Sequence, residues 1–203
     1  MKQVMLFLAL VVGTQSGCTT AQNMPSPLAA TVASPASNPS TTIAEMAADT
    51  AVRKAQLAKI SGLVGSWAGP GWRVLPSGER IEYDQRVLVT SKMGGHAFTI
   101  EGASVRRPQT GPPGSGSLAV ITWEPSENRY AFRSFTGGRL IDADGVLTNP
   151  DTFVWIVKGP PLALRFTVKF NGDVWSEVGE VSRDGEKTWV VTYQLEMHKS
   201  PLP

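Results

Sequence analysis

The chain has little of what disulfide frameworks, metal sites and nucleic-acid interfaces require. Its 203 residues include one cysteine, Cys18, and two histidines, His96 and His198, which lie far apart. A lone cysteine excludes a disulfide framework, and two distant histidines do not give the spacing of a metal site. No block of basic residues with interleaved aromatics occurs. We therefore predict no metal, no cofactor and no nucleic-acid partner.

Long hydrophobic runs are also missing, and the one short run lies at the N-terminus. The apolar segment Val4–Val12 is too short to span a bilayer as a helix and has the position of a secretory signal, predicted over residues 1–17. The stretch "SGC" that ends at Cys18 resembles a bacterial lipoprotein processing site, which predicts lipidation and a membrane anchor. Cleavage after Ala21 is the alternative and removes Cys18. Both routes predict export to the cell envelope or periplasm.

Charge is absent from residues 18–42, which are mainly Ala, Ser, Thr and Pro. Such a segment lacks the apolar periodicity that a packed core requires, and its prolines favour extended backbone. We predict a disordered tether that holds a folded domain away from a membrane.

One helix is predicted before a series of strands. Thr42 stands three residues before Glu45, the spacing of a capping box, and the Ala-rich sequence that follows predicts a helix over residues 43–62. From there the hydrophobic period changes to two, as in "ERIEYDQRVLV", and turns such as "NGD" and "RDGE" separate nine or ten such runs. Closure removes the edges of so long a meander, so residues 63–200 are predicted to form an antiparallel up-and-down β-barrel.

One connector differs from these short turns. The Gly- and Pro-rich segment Val105–Ser117 is long and carries Arg106 and Arg107. It is either a mobile lid at the mouth of the barrel or a solvated loop without a role, and long loops of this kind occur in both forms.

Aromatic residues supply the positive functional signal. Several of them fall on different predicted strands, and a barrel of this strand number can enclose a small ligand between such rings. The alternative is that the rings simply fill the barrel. The predicted ligand-binding residues are Trp123, Arg133, Phe135, Trp155, Trp175, Glu177 and Tyr193.

Glu177 is the carboxylate of interest in this set. It shares a strand face with Trp175, and burial there would raise the pKa of its carboxyl group and suit it to ligand binding or catalysis. Arg133 alternates with Phe135 on another strand and is the predicted interior partner of Glu177. A purely structural ion pair between the two is the favoured interpretation, because interior charges are commonly paired. No catalytic residue is assigned.

The opening "LVGSWAGPG" resembles the Gly-x-Trp start of calycins, the superfamily of lipocalins and fatty-acid-binding proteins, with Gly65 and Trp67 as the matching residues. Together with "MGGHAFTIEG", "AVITWEPSENRYAFRSFT", "FVWIV", "GDVWSEVGEVSRDGEKTW" and "YQLEM", it makes the chain similar to a bacterial lipocalin-like family known as a domain of unknown function. The resemblance implies a barrel of about ten strands with an interior ligand site. It also implies that Trp67 packs across one barrel end under a basic residue, for which His198 and Lys199 are available.

These features favour an envelope-tethered barrel that holds a small apolar or amphipathic molecule. Three alternatives stay open. The first is an isomerase- or hydrolase-type enzyme that uses Glu177 with Arg133 or Tyr193. The second is a haem-binding barrel with His96 or His198 as a ligand. The third is a structural or partner-binding lipoprotein whose outer surface is the functional part.

Overall fold

The computed structural model describes residues 42–108, 116–159 and 162–201. The predicted signal peptide, the lipidation site Cys18 and nearly all of the predicted tether lie outside these residues, as does the middle of the long connector. Within the described ranges, no helix has the length and apolar character needed to cross a membrane.

One helix, one 3-10 turn and ten antiparallel strands form the described part of the chain. Each strand pairs with the next, and β1 also pairs with β10, so the sheet closes into a barrel. The predicted fold, an antiparallel barrel of about ten strands after one helix, is confirmed. The elements are α1 (Ile43–Ala58), the 3-10 turn (Ser61–Leu63), β1 (Gly65–Val74), β2 (Arg80–Lys92), β3 (Ala97–Arg107), β4 (Gly116–Glu124), β5 (Arg129–Thr136), β6 (Arg139–Asn149), β7 (Thr152–Gly159), β8 (Leu162–Asn171), β9 (Val174–Ser182) and β10 (Val190–Lys199).

The helix begins at the predicted capping box. The Glu45 backbone N–H donates to the Thr42 hydroxyl at 3.2 Å, and the Thr42 backbone N–H donates to the Glu45 carboxylate at 2.6 Å. These bonds satisfy N–H groups that have no partner inside the helix. The predicted helix start at Thr42 is therefore confirmed.

The helix and the 3-10 turn cover one end of the barrel, which we call the closed end. Leu57, Ile60 and Leu63 are buried there as part of the hydrophobic core. The Tyr130 hydroxyl on β5 donates to the Gln56 carbonyl at 2.8 Å and fixes the helix to the barrel. Apolar burial and this hydrogen bond together make the closed end inaccessible to a ligand.

Trp67 is the centre of the closed end. It is fully buried, its indole Nε1–H donates to the Leu63 carbonyl at 2.9 Å, and its ring meets Trp175 edge to face at 5.7 Å. The Lys199 Nζ lies 5.5 Å from the centroid of the Trp67 ring. The closure implied by the lipocalin resemblance is therefore present, with Lys199 as the basic residue.

The other end of the barrel, which we call the mouth, is bounded by the connections that follow β1, β3, β5, β7 and β9. The β1–β2 ladder runs without a register shift from Gly65 to Val74, so Trp67 and Trp72 lie on opposite faces of β1. Trp72 is outside, where the Arg80 guanidinium carbon lies 4.1 Å from its ring centroid.

Candidate functional site

The half of the interior next to the mouth, which we call the mouth half, has an aromatic wall. Trp155 stacks on Phe132 at 4.6 Å and on Phe166 at 4.0 Å, and Phe166 meets Tyr193 edge to face at 5.6 Å. The strand registers point all four side chains inward, yet Trp155, Phe166 and Tyr193 are only half-buried. Solvent therefore reaches these rings through the mouth.

The facing wall, on β3 to β5, is built from small side chains. Gly102, Ser104 and Ser117 point inward at neighbouring positions of β3 and β4 and are half-buried, and Ser134 follows on β5. A Cβ atom at Gly102 would lie 2.6 Å from the Ser117 hydroxyl, so the two residues already meet closely. These small inward side chains contrast with the large rings of the aromatic wall.

Glu177 lies at the base of the mouth half, on β9. It is 8% exposed, and the Trp175 indole Nε1–H donates to its Oε2 at 3.3 Å. Burial raises the pKa of the Glu177 carboxyl to about 7, although the bond from Trp175 opposes this change. A large fraction of Glu177 is therefore protonated at neutral pH, and its carboxyl group can donate as well as accept a hydrogen bond.

Two tyrosines close the ring of aromatic side chains above Glu177. The ring centroids of Tyr83 and Tyr193 are 6.2 Å apart. Burial raises the pKa of Tyr83 to about 12, and burial with the nearby Glu177 carboxylate raises the pKa of Tyr193 well above its usual value. No hydrogen bond of ordinary geometry reaches the buried Tyr83 hydroxyl from the described residues. The Tyr193 side chain is the polar group with which this hydroxyl interacts.

Arg73 stands above Tyr83, at the mouth end of β1. Its guanidinium carbon lies 5.7 Å from the Tyr83 ring centroid, and it pairs in register with Tyr193. A Cβ atom at Gly71 would meet the Tyr83 hydroxyl at 2.9 Å, so this glycine makes the space in which the tyrosine lies. None of the ion pairs found among the described residues includes Arg73.

Five of the seven predicted ligand-binding residues face the interior, and they form two groups. Trp155, Glu177 and Tyr193 lie in the mouth half, where Trp155 and Tyr193 are half-buried and Glu177 is buried. Trp123 and Trp175 belong to the packed closed end, where Trp123 meets Tyr130 edge to face at 4.8 Å. A ligand-binding role for the mouth-half residues remains a prediction.

Arg133 and Phe135 do not face the interior, and their predicted placement is wrong. The Arg133 side chain is 60% exposed on the outer face, with Nε 3.0 Å from Asp142 Oδ1, and Phe135 is 52% exposed. The register of β5 with β4 turns Phe132 inward instead. Both faces of strand β5 carry aromatic residues, so hydrophobic alternation did not indicate which face points into the barrel. The predicted interior pair of Glu177 with Arg133 is consequently absent.

Four inward-facing residues were missed in the sequence: Arg73, which is exposed at the mouth, and Tyr83, Phe132 and Phe166. Arg73 lies an even number of positions after Trp67 and therefore shares its face of strand β1. The glycines between the two residues interrupt the hydrophobic alternation, so the sequence pattern did not indicate this placement. Tyr83 shares a strand face with Ile81 and Val87, and nothing in that alternation distinguishes it as a site residue. Phe166 alternates with Leu164 and Val168, both of which face inward.

Neither histidine faces the interior. His198 lies on the outer face of β10, with Nε2 3.7 Å from Glu196 Oε1, and His96 lies in the β2–β3 turn at the closed end. The haem-binding alternative therefore has no histidine ligand inside the barrel. In the part of the chain that the structure describes, no three His, Cys, Asp or Glu side chains are arranged to hold a metal ion.

The outer face carries an exposed apolar row on three neighbouring strands. Leu118, Phe135 and Leu140 are direct cross-strand partners on β4, β5 and β6, and all three are exposed. A groove of ≈ 710 Å³ on the outer face of β1 to β4 adjoins Leu118. Contiguous apolar surface of this kind often marks an interaction site.

The fold has counterparts among solved structures. Rv2717c from M. tuberculosis has a TM-score of 0.54 at 17% identity, over 71% of this chain and 97% of that chain. The S-type phycobiliprotein lyase CPES from Guillardia theta has a TM-score of 0.51 at 10% identity, over 74% of this chain and 94% of that chain. These identities show a shared fold and nothing finer. No protein-family model matches the chain, and no curated protein matches it in sequence.

Proposed function

We propose that the protein binds one small amphipathic molecule inside the mouth half of its barrel. The observation that carries this proposal is the set of inward-facing rings that stay half-buried, Trp155, Phe166 and Tyr193. Inward rings in a solid barrel are covered by neighbouring side chains, as Trp67 is at the closed end. A ligand with an apolar part would cover these rings and gain roughly 25 cal/mol for each Å² of apolar surface removed from water.

Polar groups in the same space make an amphipathic ligand a better fit than a purely apolar one. The Tyr83 hydroxyl interacts with the Tyr193 side chain without making a hydrogen bond of ordinary geometry, and Glu177 accepts one hydrogen bond, from Trp175. A buried polar group without a partner costs about 1–3 kcal/mol. A ligand that bonds to Tyr83 would recover part of that free energy, which a hydrocarbon does not.

The titratable groups of the interior favour binding over catalysis. Glu177 is the one carboxyl group at an inward position of the described strands, so a second carboxyl for paired acid and base chemistry is missing there. The pKa values of Tyr83 and Tyr193 are raised by burial, which makes both phenols poor bases at neutral pH. The interior-enzyme alternative therefore depends on Glu177 alone.

The proposed site of action is the cell envelope. The N-terminal sequence has the pattern of an export signal followed by a lipidation site at Cys18, and residues 18–42 have the composition of a tether. Radiolabelled palmitate incorporation in the native host, compared between the wild type and Cys18→Ala, tests the anchor. Equal labelling of the two proteins would refute it.

The binding proposal is tested with N-phenyl-1-naphthylamine, a neutral fluorescent amphiphile, on the purified chain. We expect saturable binding with a stoichiometry of one. Thr136→Trp places a large side chain at an inward, half-buried position next to the mouth and should weaken binding at least tenfold. Phe135→Trp changes the adjacent outward residue and is the matched control. Saturable binding that both variants leave unchanged would place the probe elsewhere and contradict the proposal.

A second candidate function, partner binding by the outer surface, is favoured by the exposed row of Leu118, Phe135 and Leu140. Two copies of this chain could bury their rows against each other. Sedimentation equilibrium of the wild type and of Phe135→Ser tests this candidate. Concentration-dependent dimers that the substitution abolishes would support it, and a monomer at all concentrations would exclude self-association.

A further inference from the structure

We propose that the outer face of strands β2 and β3 binds a second copy of this chain through two reciprocal ion pairs, each between Arg86 of one copy and Glu101 of the other. The inference rests on the second candidate function, partner binding by the outer surface, and is independent of the interior ligand site. It names the residues that recognise the second copy and the symmetry of the contact.

Four outward residues of β2 and β3 form a square, which we call the charge square. Arg86 pairs in register with Ala103, and Leu88 pairs in register with Glu101. The two charged residues therefore occupy one diagonal of the square, and the two apolar residues occupy the other. All four line the groove of ≈ 710 Å³ on the outer face, and Arg86, Glu101 and Ala103 are exposed. The residues that the structure describes thus leave the charge square open to a partner.

Neither charged side chain of the square is paired within the described part of the chain. Other exposed charges on the same two strands are paired, such as Arg107 and Asp84, whose Nε and Oδ1 atoms are 3.4 Å apart. None of the ion pairs found among the described residues includes Arg86 or Glu101. Diagonal neighbours on adjacent strands are about 7–8 Å apart, which long side chains can bridge, yet these two do not pair with each other. Both charges are therefore available to a second molecule.

The charge square is self-complementary, and this property favours a second copy over an unrelated partner. In a two-fold dimer, a residue i contacts a residue j of the other copy, and j contacts i in return. A two-fold axis along the apolar diagonal exchanges the charged corners, so each Arg86 meets Glu101 of the other copy. An arginine and a carboxylate can form two parallel hydrogen bonds, which fixes the register of such a contact. A face with charges of one sign would instead repel its own copy.

Exposed apolar residues flank the charge square and extend the contact. Leu118 is the cross-strand partner of Glu101 on β4, and Val105 lies two residues after Ala103 on β3; both are exposed. Phe135 continues this row on β5. Stable interfaces use about 20–30 residues on each side, so a contact centred on so few residues predicts a weak dimer. Its population should depend on concentration, and the two ion pairs should decide its register.

The test uses charge reversals, read by sedimentation equilibrium of the purified chain at low ionic strength. We expect the wild type to dimerise as its concentration rises. Arg86→Glu and Glu101→Arg should each weaken the dimer at least tenfold, because each places two like-charged pairs in the two-fold contact. An equal mixture of the two variants should form a mixed dimer, since every charge then meets one of opposite sign.

The double variant, with both reversals in one chain, provides a second measurement. It should dimerise with itself to within about threefold of the wild type, because the two-fold contact again pairs opposite charges. A structural defect caused by either reversal would not be repaired by the other, so recovery in the mixture or in the double variant reports pairing between copies. Circular dichroism of all variants should match the wild type, because both substituted side chains are exposed.

Arg183→Glu is the matched control, because Arg183 is also exposed but lies on the β9–β10 connection, and neither of these strands is adjacent to β2 or β3 in a way that reaches the charge square. It should leave the dimer unchanged. Dimers that Phe135→Ser abolishes but both charge reversals leave intact would overturn this inference while the second candidate function stands. Reversal variants that stay monomeric when mixed, together with a monomeric double variant, would also overturn it. A wild type that is monomeric at all concentrations would overturn both and leave the interior binding proposal untouched.

Discussion

Glu177 shows how one buried side chain couples the barrel to pH. Its carboxyl group faces the interior, where a single hydrogen bond from Trp175 does not replace the water that burial removes. The uncharged acid is therefore the form that the folded protein favours, and the pKa lies near 7 instead of 4.5. An interior acid of this kind changes the charge of the barrel interior between acid and neutral pH.

This raised pKa predicts a stability that falls as pH rises. Between pH 4.5 and 7 the unfolded chain has lost the Glu177 proton while the folded chain retains it, so the folded state binds more protons. The contribution of Glu177 to the free energy of unfolding is complete below about pH 4.5 and is lost as pH rises through 7, by about 3 kcal/mol in all. Glu177→Gln has no proton to lose, so the wild type should lose this stability relative to the variant.

Urea unfolding of the wild type and of Glu177→Gln between pH 4.5 and 8 measures the difference in their free energies of unfolding. The other carboxyl groups contribute equally to both proteins, so their contributions cancel in this difference. Glu101→Gln, an exposed change on the outer face, is the control and should follow the wild type at every pH. A gap between the wild type and Glu177→Gln that stays constant with pH would show that Glu177 titrates normally.

The interior residues also show where sequence patterns stop being informative. The position of Trp67 at one end of the barrel was implied by the resemblance of its Gly-x-Trp stretch to the opening of calycins, and alternation alone did not indicate it. The inward face of β5 was not, because Phe132 and Phe135 give both faces an aromatic residue and only pairing with β4 decides between them. The meeting of Arg73, Tyr83 and Tyr193 depends on closure between β1 and β10, a contact between residues about 120 positions apart.

At the scale of elements, strand β1 is shaped by a close approach to β10. Pro70 has no N–H group, and the β1–β10 pairing passes from Ala68 with His198 directly to Gly71 with Leu195. A Cβ atom at Gly69 would lie 2.0 Å from the Glu196 carbonyl oxygen. The glycine-rich start of the barrel is therefore a packing requirement that joins its first and last strands.

This close approach predicts that Gly69→Ala strongly destabilises the barrel. The added methyl group meets backbone atoms, which cannot rotate away as a side chain would, so we expect a loss of at least ~2 kcal/mol in the free energy of unfolding. Gly116→Ala is the control, because a Cβ atom there meets its nearest neighbour at 3.6 Å, an ordinary contact. Urea unfolding of the two variants measures the difference. Equal stabilities would mean that β1 and β10 separate at little cost.

The order of elements along the chain could be predicted from the sequence. The difference in burial between the two ends of the barrel could not. The change of period after residue 63 and the short turns predicted a closed meander, which the structure has. Hydrophobic alternation does not indicate which end of a barrel is the more fully buried. That difference arises from small inward residues, Gly102, Ser104 and Ser117, near the mouth and from Leu57 and Ile60 of the helix region at the other end.

At the scale of the whole molecule, the barrel is asymmetric along its axis. The helix region, Trp67 and Trp175 fill the closed end, while half-buried rings and small side chains surround the mouth half. Segments with few buried apolar contacts open more readily than core segments, so the two ends should differ in local stability. A ligand bound in the mouth half stabilises only conformations in which that half is formed.

Hydrogen exchange should therefore respond to a ligand at one end only. Without ligand, amides near residues 53–63 and 97–100 should exchange slowly, and those near residues 78–84 and 134–141 should exchange faster. Saturating N-phenyl-1-naphthylamine should slow exchange in the second group at least threefold and leave the first unchanged, because the closed end is already packed. In Thr136→Trp the slowing should be smaller at the same probe concentration, because the added ring at this inward position weakens binding. Slowing spread evenly over both ends would indicate that the amphiphile stabilises the barrel from outside the mouth half.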